Sequence, residues 1–167
     1  QLKLITNVKG VDSNYIYVNP ILNHIKLGDY VCVNDFLNIG YGVFSQLSLK
    51  LYDYDDPIKL SFFQEMKGAF SNQLIKTQPF YIASVFSIQP EFDNSYIIME
   101  VNQLRNLLQL NNKYSAIELK LSKEFSIKSI KTSISNIIGS KYTIKTQSEQ
   151  RPFIYKMIKT EKLAIYI

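Results

Sequence analysis

The sequence has no tryptophan, one cysteine, one histidine and no apolar run approaching the length of a membrane span. Each absence closes a class of function. A single cysteine, Cys32, permits no internal disulfide. Together with a single histidine, His24, it cannot supply the ligands of a usual Cys/His zinc site within one chain. Number alone allows a Cys32–His24 nucleophile pair, but no motif surrounds either residue. In Tyr30-Val31-Cys32-Val33, Cys32 reads as a buried small hydrophobe on a short strand. A membrane span needs about 18 or more apolar residues, and nothing here reaches that. Gln1-Leu2-Lys3 does not open a secretory leader, which needs a long apolar stretch behind its basic start. The GxxxxGK[ST] phosphate loop is absent, so no ATP site of that type is expected. No Ser-His-Asp order, nucleophile elbow or paired-carboxylate pocket is legible, which argues against a hydrolase. No catalytic residue, cofactor or metal ligand is assigned.

What is present is an apolar fraction of 46%, enough for a real core, and 22 aromatics made of 12 Tyr and 10 Phe. The 167 residues fit one domain or two small subdomains sharing a core. The net charge of +5 is uneven. Residues 1–94 carry 7 basic against 9 acidic side chains, a net of −2, and residues 95–167 carry 12 against 5, a net of +7. The basic half suits an anionic partner, nucleic acid or lipid headgroups, and equally suits a solvated Lys-rich helix face.

Along the chain, 2–11 reads as a strand, Asp12-Ser13-Asn14 as a turn and Tyr15–Val18 as a second strand. Leu27-Gly28-Asp29 turns into a strand over Tyr30–Val33. Asp35 reads as the N-cap of a helix to Leu47, built on Phe36, Ile39, Val43, Phe44 and Leu47. Gly40 and Gly42 interrupt it; they lack the third glycine of a dinucleotide fingerprint, and close helix packing explains them better. Asp53, Asp55 and Asp56 cluster as calcium ligands can, but without the EF-hand's glycine and closing glutamate they read as a solvated loop. Ile58–Phe63 is a strand, Gln64–Thr77 a polar loop or hairpin tip, and Phe80–Ile88 a long strand.

The stretch Val85–Leu110 is the clearest: a strand, a turn at Gln89–Asn94, an apolar strand at Tyr96–Met99, and a helix striped by Val101, Leu104, Leu107 and Leu108. Ala116–Leu121 alternates strictly, and Ile117, Leu119 and Leu121 are expected to face the core. Ser126 caps a helix striped by Ile127, Ile130, Ile134, Ile137 and Ile138, which Gly139 ends. Tyr142–Thr146 is a strand, and Ser148 starts a last helix whose basic side is Lys156, Lys159 and Lys162. The fold class is therefore α+β. A strand-rich part, residues 1–94, precedes a split βαβ, ferredoxin-like part, residues 95–167.

Four patches resemble the periplasmic domain of LolC/LolE-type permeases, in the wider MacB/FtsX-like group of ABC transporters. Lys9-Gly10-Val11-Asp12 resembles a GVDP turn. Gly40-Tyr41-Gly42-Val43-Phe44-Ser45-Gln46-Leu47-Ser48-Leu49 resembles the GxGLAxxLGL helix, departing at Phe44, Ser45 and Ser48. Phe92–Leu110, followed by Ser115–Leu121, is the third patch. Tyr142–Thr146 with Glu149 and Gln150, followed by Lys159, Glu161 and Lys162, is the fourth.

The resemblance implies a strand-rich Sabre subdomain inserted in an α/β Porter subdomain, set in the periplasm between two membrane helices of an inner-membrane protein. Leu163–Ile167 would open the second of those helices, the basic helix would lie near the membrane, and the chain would be a piece of a longer permease. It further implies a non-catalytic role, carrying motion from a separate ATPase subunit and partner permease to a lipoprotein or its periplasmic carrier, with no nucleic acid. A carrier-binding hook, by position and polarity, falls at Gln64–Thr77, where Lys67, Phe70 and Lys76 are the contact residues. The alternatives are an FtsX/MacB-type domain with another substrate and a ferredoxin-like nucleic-acid-binding module, whose basic, aromatic-rich second half would supply charge and stacking.

Overall fold

The computed structural model describes residues 2–64, 74–110 and 113–150. They form an α+β fold in two compact units, one ending at Lys120 and the other beginning at Leu121. The division expected at residue 94 falls within the first unit.

The first unit holds strands β1 (Asn7–Val11), β2 (Ile25–Gly28), β3 (Phe36–Gly40), β4 (Ile58–Gln64), β5 (Leu74–Phe86) and β6 (Tyr96–Glu100). Its helices are α1 (Tyr15–Val18), α2 (Tyr41–Gln46), α3 (Pro90–Asp93) and α4 (Val101–Leu108), with a 3-10 turn at Ile21–His24. The sheet runs β1-β6-β3-β5-β2, and β4 pairs with β5 off that path. It is mixed: β1–β6 and β3–β5 are parallel, while β6–β3, β5–β2 and β4–β5 are antiparallel.

β5 serves three ladders. Leu74–Phe80 pairs with β4, Tyr81–Phe86 pairs with β3, and Ser84–Phe86 also pairs with β2. Pro79, which has no N–H to give, lies two residues before the β3 ladder begins.

Both faces of the main sheet are covered, which explains the unbroken apolar run in β6. Ile97 and Met99 join Leu37, Ile39, Val43, Ile82 and Leu107 in one cluster. Ile98 joins Val11, Tyr15, Ile21 and Phe86 in the other. Each such side chain contributes about 1.5–3 kcal/mol when fully buried. Leu107 anchors α4 as its spacing requires, and Glu100 caps that helix by accepting from the Gln103 N–H at 2.8 Å.

Several sequence expectations give way here. Tyr15–Val18 is a helical turn, not a strand: Asp12 coils the chain by accepting from the N–H groups of Asn14 and Tyr15. Residues 36–40 are a strand, not the start of a helix. Leu37 and Ile39 enter one cluster while Asn38 points to the opposite face, and the helix begins only at Tyr41. Gly40 and Gly42 do allow close packing, but against the Asp93–Asn94 corner after α3, where a Cβ on either would overlap Asp93 or Asn94.

Residues 30–33 form no strand, because Val31 is bonded to a side chain, as described below. Residues 116–121 and 142–146 join no ladder. Ile117, Leu119 and Leu121, expected in the core, are 84%, 63% and 38% exposed.

The second unit holds α5 (Ile127–Ile138), a 3-10 turn at Gly139–Lys141, and α6 (Gln147–Gln150). Gly139 ends α5 with a positive φ of 68°, as its position predicts. Ser126 precedes the helix with no side-chain cap bond. The α6 start is a Thr-x-x-Glu box, not Ser148: the Thr146 N–H donates to Glu149 at 2.8 Å, and the Glu149 N–H donates to Thr146 Oγ1 at 3.3 Å. No helix among the described residues is long and apolar enough to cross a membrane.

Candidate functional site

Three polar clusters of the first unit tie parts of the fold together. The first is inside the sheet. Asn38 and Ser84 are fully buried. The Asn38 amide oxygen accepts from Ser84 Oγ at 2.6 Å and from the Val31 N–H at 3.1 Å, and its nitrogen donates to the Val31 carbonyl at 2.7 Å. A side-chain amide thus pairs with Val31 as a neighbouring strand would, and fastens residues 30–33 without a ladder.

The second is the turn into α3. Asp93, nearly buried, accepts from Ser87 Oγ and from the N–H groups of Ile88 and Gln89.

The third lies at the end of the sheet where the parallel strands β1 and β6 finish. Lys9 lies over the Tyr15 ring, 4.8 Å from its centroid, and donates to Glu118 at 2.6 Å. The other Glu118 oxygen accepts from Asn19 at 2.6 Å, and Lys120 donates to the Tyr17 carbonyl at 3.0 Å. Burial opposes ionisation of Glu118, but the bonds from Lys9 and Asn19 outweigh it and hold the carboxyl below its ordinary value. Burial likewise opposes charge on Lys9, and Glu118 and Tyr15 overcome it, raising the ammonium.

Cys32 lies at the same end. Its thiol donates to the Val11 carbonyl at 3.5 Å and sits beside the Tyr30 hydroxyl. Burial raises both groups above their ordinary values, so the thiol stays protonated at neutral pH. His24 precedes Ile25, whose partner Phe86 also pairs with Gly40 at the opposite end of the sheet. The structure therefore does not bring Cys32 and His24 together.

Asp35, expected as a helix cap, accepts from Gln103 at 2.6 Å and Gln78 at 3.2 Å instead. Asp53 accepts from the Asp56 N–H and closes its own turn, and among the described residues no three His, Cys, Asp or Glu side chains converge on a metal position.

Of the proposed partner-binding residues, Lys76 is exposed on β5 opposite Phe62. Lys67, Phe70, Lys156, Lys159 and Lys162 lie outside the described residues. What the sequence reading missed is the exposed row Ile117, Leu119 and Leu121, backed by the bonds of Glu118 and Lys120 to β1 and α1. Alternation marks two faces but does not say which meets the fold; here the charged side chains bond to it while remaining exposed themselves. A scan of protein-family models and a search of curated proteins find no match for the chain.

Proposed function

We propose that the chain is a docking module of a membrane assembly, the extracytoplasmic domain of an ABC permease subunit of the LolC/LolE, MacB/FtsX-like kind. Its work is mechanical: it carries motion from an ATPase subunit to a lipoprotein or to the carrier that receives one. On this reading the domain is set in the periplasm beside the inner membrane.

The observation that carries the reading is the block Phe92–Leu110. Its resemblance to the permease segment is an Asp-containing turn, a hydrophobic strand and a leucine-rich helix, and those residues fold as α3, β6 and α4. A supporting observation is that Asn38, Asp93 and Glu118 spend their hydrogen bonds on the fold, while the exposed row at 117–121 is aliphatic, which suits docking.

Photo-crosslinking from Lys76 in the native cell, followed by fractionation, tests this. Lys76 is exposed and is itself one of the proposed carrier contacts. The expected products are a lipoprotein or lipid-carrying protein, recovered with an ABC ATPase in the membrane fraction. Recovery free of any ATPase, or crosslinks to RNA, would overturn the reading.

A further inference from the structure

We propose that residues 116–121 are a strand-pairing surface whose occupant is the same segment of a second copy of the chain, antiparallel and centred on Leu119. Three observations carry this. The side chains alternate sides as a strand's do: Glu118 and Lys120 bond back to Lys9, Asn19 and Tyr17, while Ile117, Leu119 and Leu121 point to solvent. The segment nevertheless joins no ladder, and no backbone hydrogen bond forms from 116–121 to any described residue. A row of free backbone groups beside exposed aliphatic side chains is the arrangement that accepts another strand. The bonds to β1 and α1 also hold the segment in place before a partner arrives.

Charge selects the partner. The sequence Ile117-Glu118-Leu119-Lys120-Leu121 is self-complementary when reversed. Antiparallel pairing about Leu119 sets Glu118 against Lys120 of the second copy, Lys120 against its Glu118, and Ile117 against its Leu121. Side chains directly opposite in such a pair approach to about 5 Å, where opposite charges attract and aliphatics pack. Parallel pairing in register would oppose Glu118 to Glu118 and Lys120 to Lys120, which is unfavourable. A one-residue slip would put charges on the aliphatic face. Lys120 has three N–H donors and uses one on Tyr17, so a carboxylate of the second copy adds a bond without removing one. The interface is isologous, and pairing joins the two rows into one surface of six aliphatic side chains.

The test uses single cysteines in a Cys32→Ala chain under mild oxidation. Leu119→Cys is expected to crosslink with itself. Ile117→Cys is expected to crosslink with Leu121→Cys and not with itself. In the unaltered chain, sedimentation should show a monomer–dimer equilibrium, and amide exchange at 117–121 should slow as concentration rises. Leu119→Lys should weaken association by about tenfold or more with an unchanged melting curve, because Leu119 is already exposed.

A chain that stays monomeric to about 1 mM, the weak end of specific association, overturns the proposal. So does a dimer that leaves exchange at 117–121 unchanged, or one in which Ile117→Cys crosslinks with itself as readily as with Leu121→Cys. Protection that appears only when another protein is added also overturns it, and assigns the surface to a foreign strand.

Discussion

Asn38 sits fully buried in the middle of the sheet, with its amide oxygen and nitrogen both engaged. Replacing it with Ala leaves the N–H and carbonyl of Val31 and the Ser84 hydroxyl without their partner. Each stranded group costs about 1–3 kcal/mol, so Asn38→Ala should lower unfolding free energy by about 3 kcal/mol or more in urea titrations. Ser84→Ala removes one bond only and should cost about 1 kcal/mol.

The Glu118–Lys9 clasp should show itself through pH. Glu118 ionises more readily folded than at its ordinary value of 4.5, so it adds stability above that pH and loses it as pH falls through the lowered folded value. Lys9 is raised from 10.5, so its contribution is full below that pH and fades as pH rises through the raised value. Both side chains are partly exposed, which limits the effect to about 1 kcal/mol or less. Glu118→Gln should therefore destabilise slightly near neutral pH, and the gap from the parent should close in acid when denaturation midpoints are compared. Glu149 offers a sharper readout. Its bonds to Lys131 and the Thr146 backbone hold it at about 2, and Lys131→Met should move its carboxyl titration, followed by NMR, back toward 4.5.

At the scale of elements, the junction of β3 and α2 is closely packed. A methyl group at Gly40 would overlap the backbone of Asp93, so Gly40→Ala should cost about 1–3 kcal/mol by thermal or urea unfolding. That junction also shows where the sequence misleads. Ile39, Val43 and Leu47 fit a helical period, yet Ile39 belongs to a strand and Val43 to the helix that follows; two elements joined without a loop imitate one longer element. Val85–Leu110 was legible because each of its signals is local: Pro90 and Asp93 make the turn, an apolar triplet makes the buried strand, and the leucines keep one period. The amide of Asn38 substituting for a strand was not legible, because it joins residues whose pairing no local pattern announces. Nor was the direction of Ile117, Leu119 and Leu121, which depends on where Lys9, Tyr17 and Asn19 stand in the folded chain.

At the scale of the molecule, protection from solvent is unequal. β3, β5 and β6 contribute fully buried residues, whereas α5 contributes none. Local opening follows burial, so native-state hydrogen exchange should find the amides of Leu37–Ile39 and Ile97–Met99 orders of magnitude slower than those of α5. Comparable rates in the two sets would contradict this account of where the core lies.

β5 runs 13 residues without a break and, at about 3.3 Å per residue, reaches about 40 Å. One half lies in the hairpin with β4, and the other is wedged between β3 and β2. A tug on the hairpin is therefore a tug on the centre of the sheet, delivered along one strand whose only slack is the residue skipped at Ala83 in its ladder with β3.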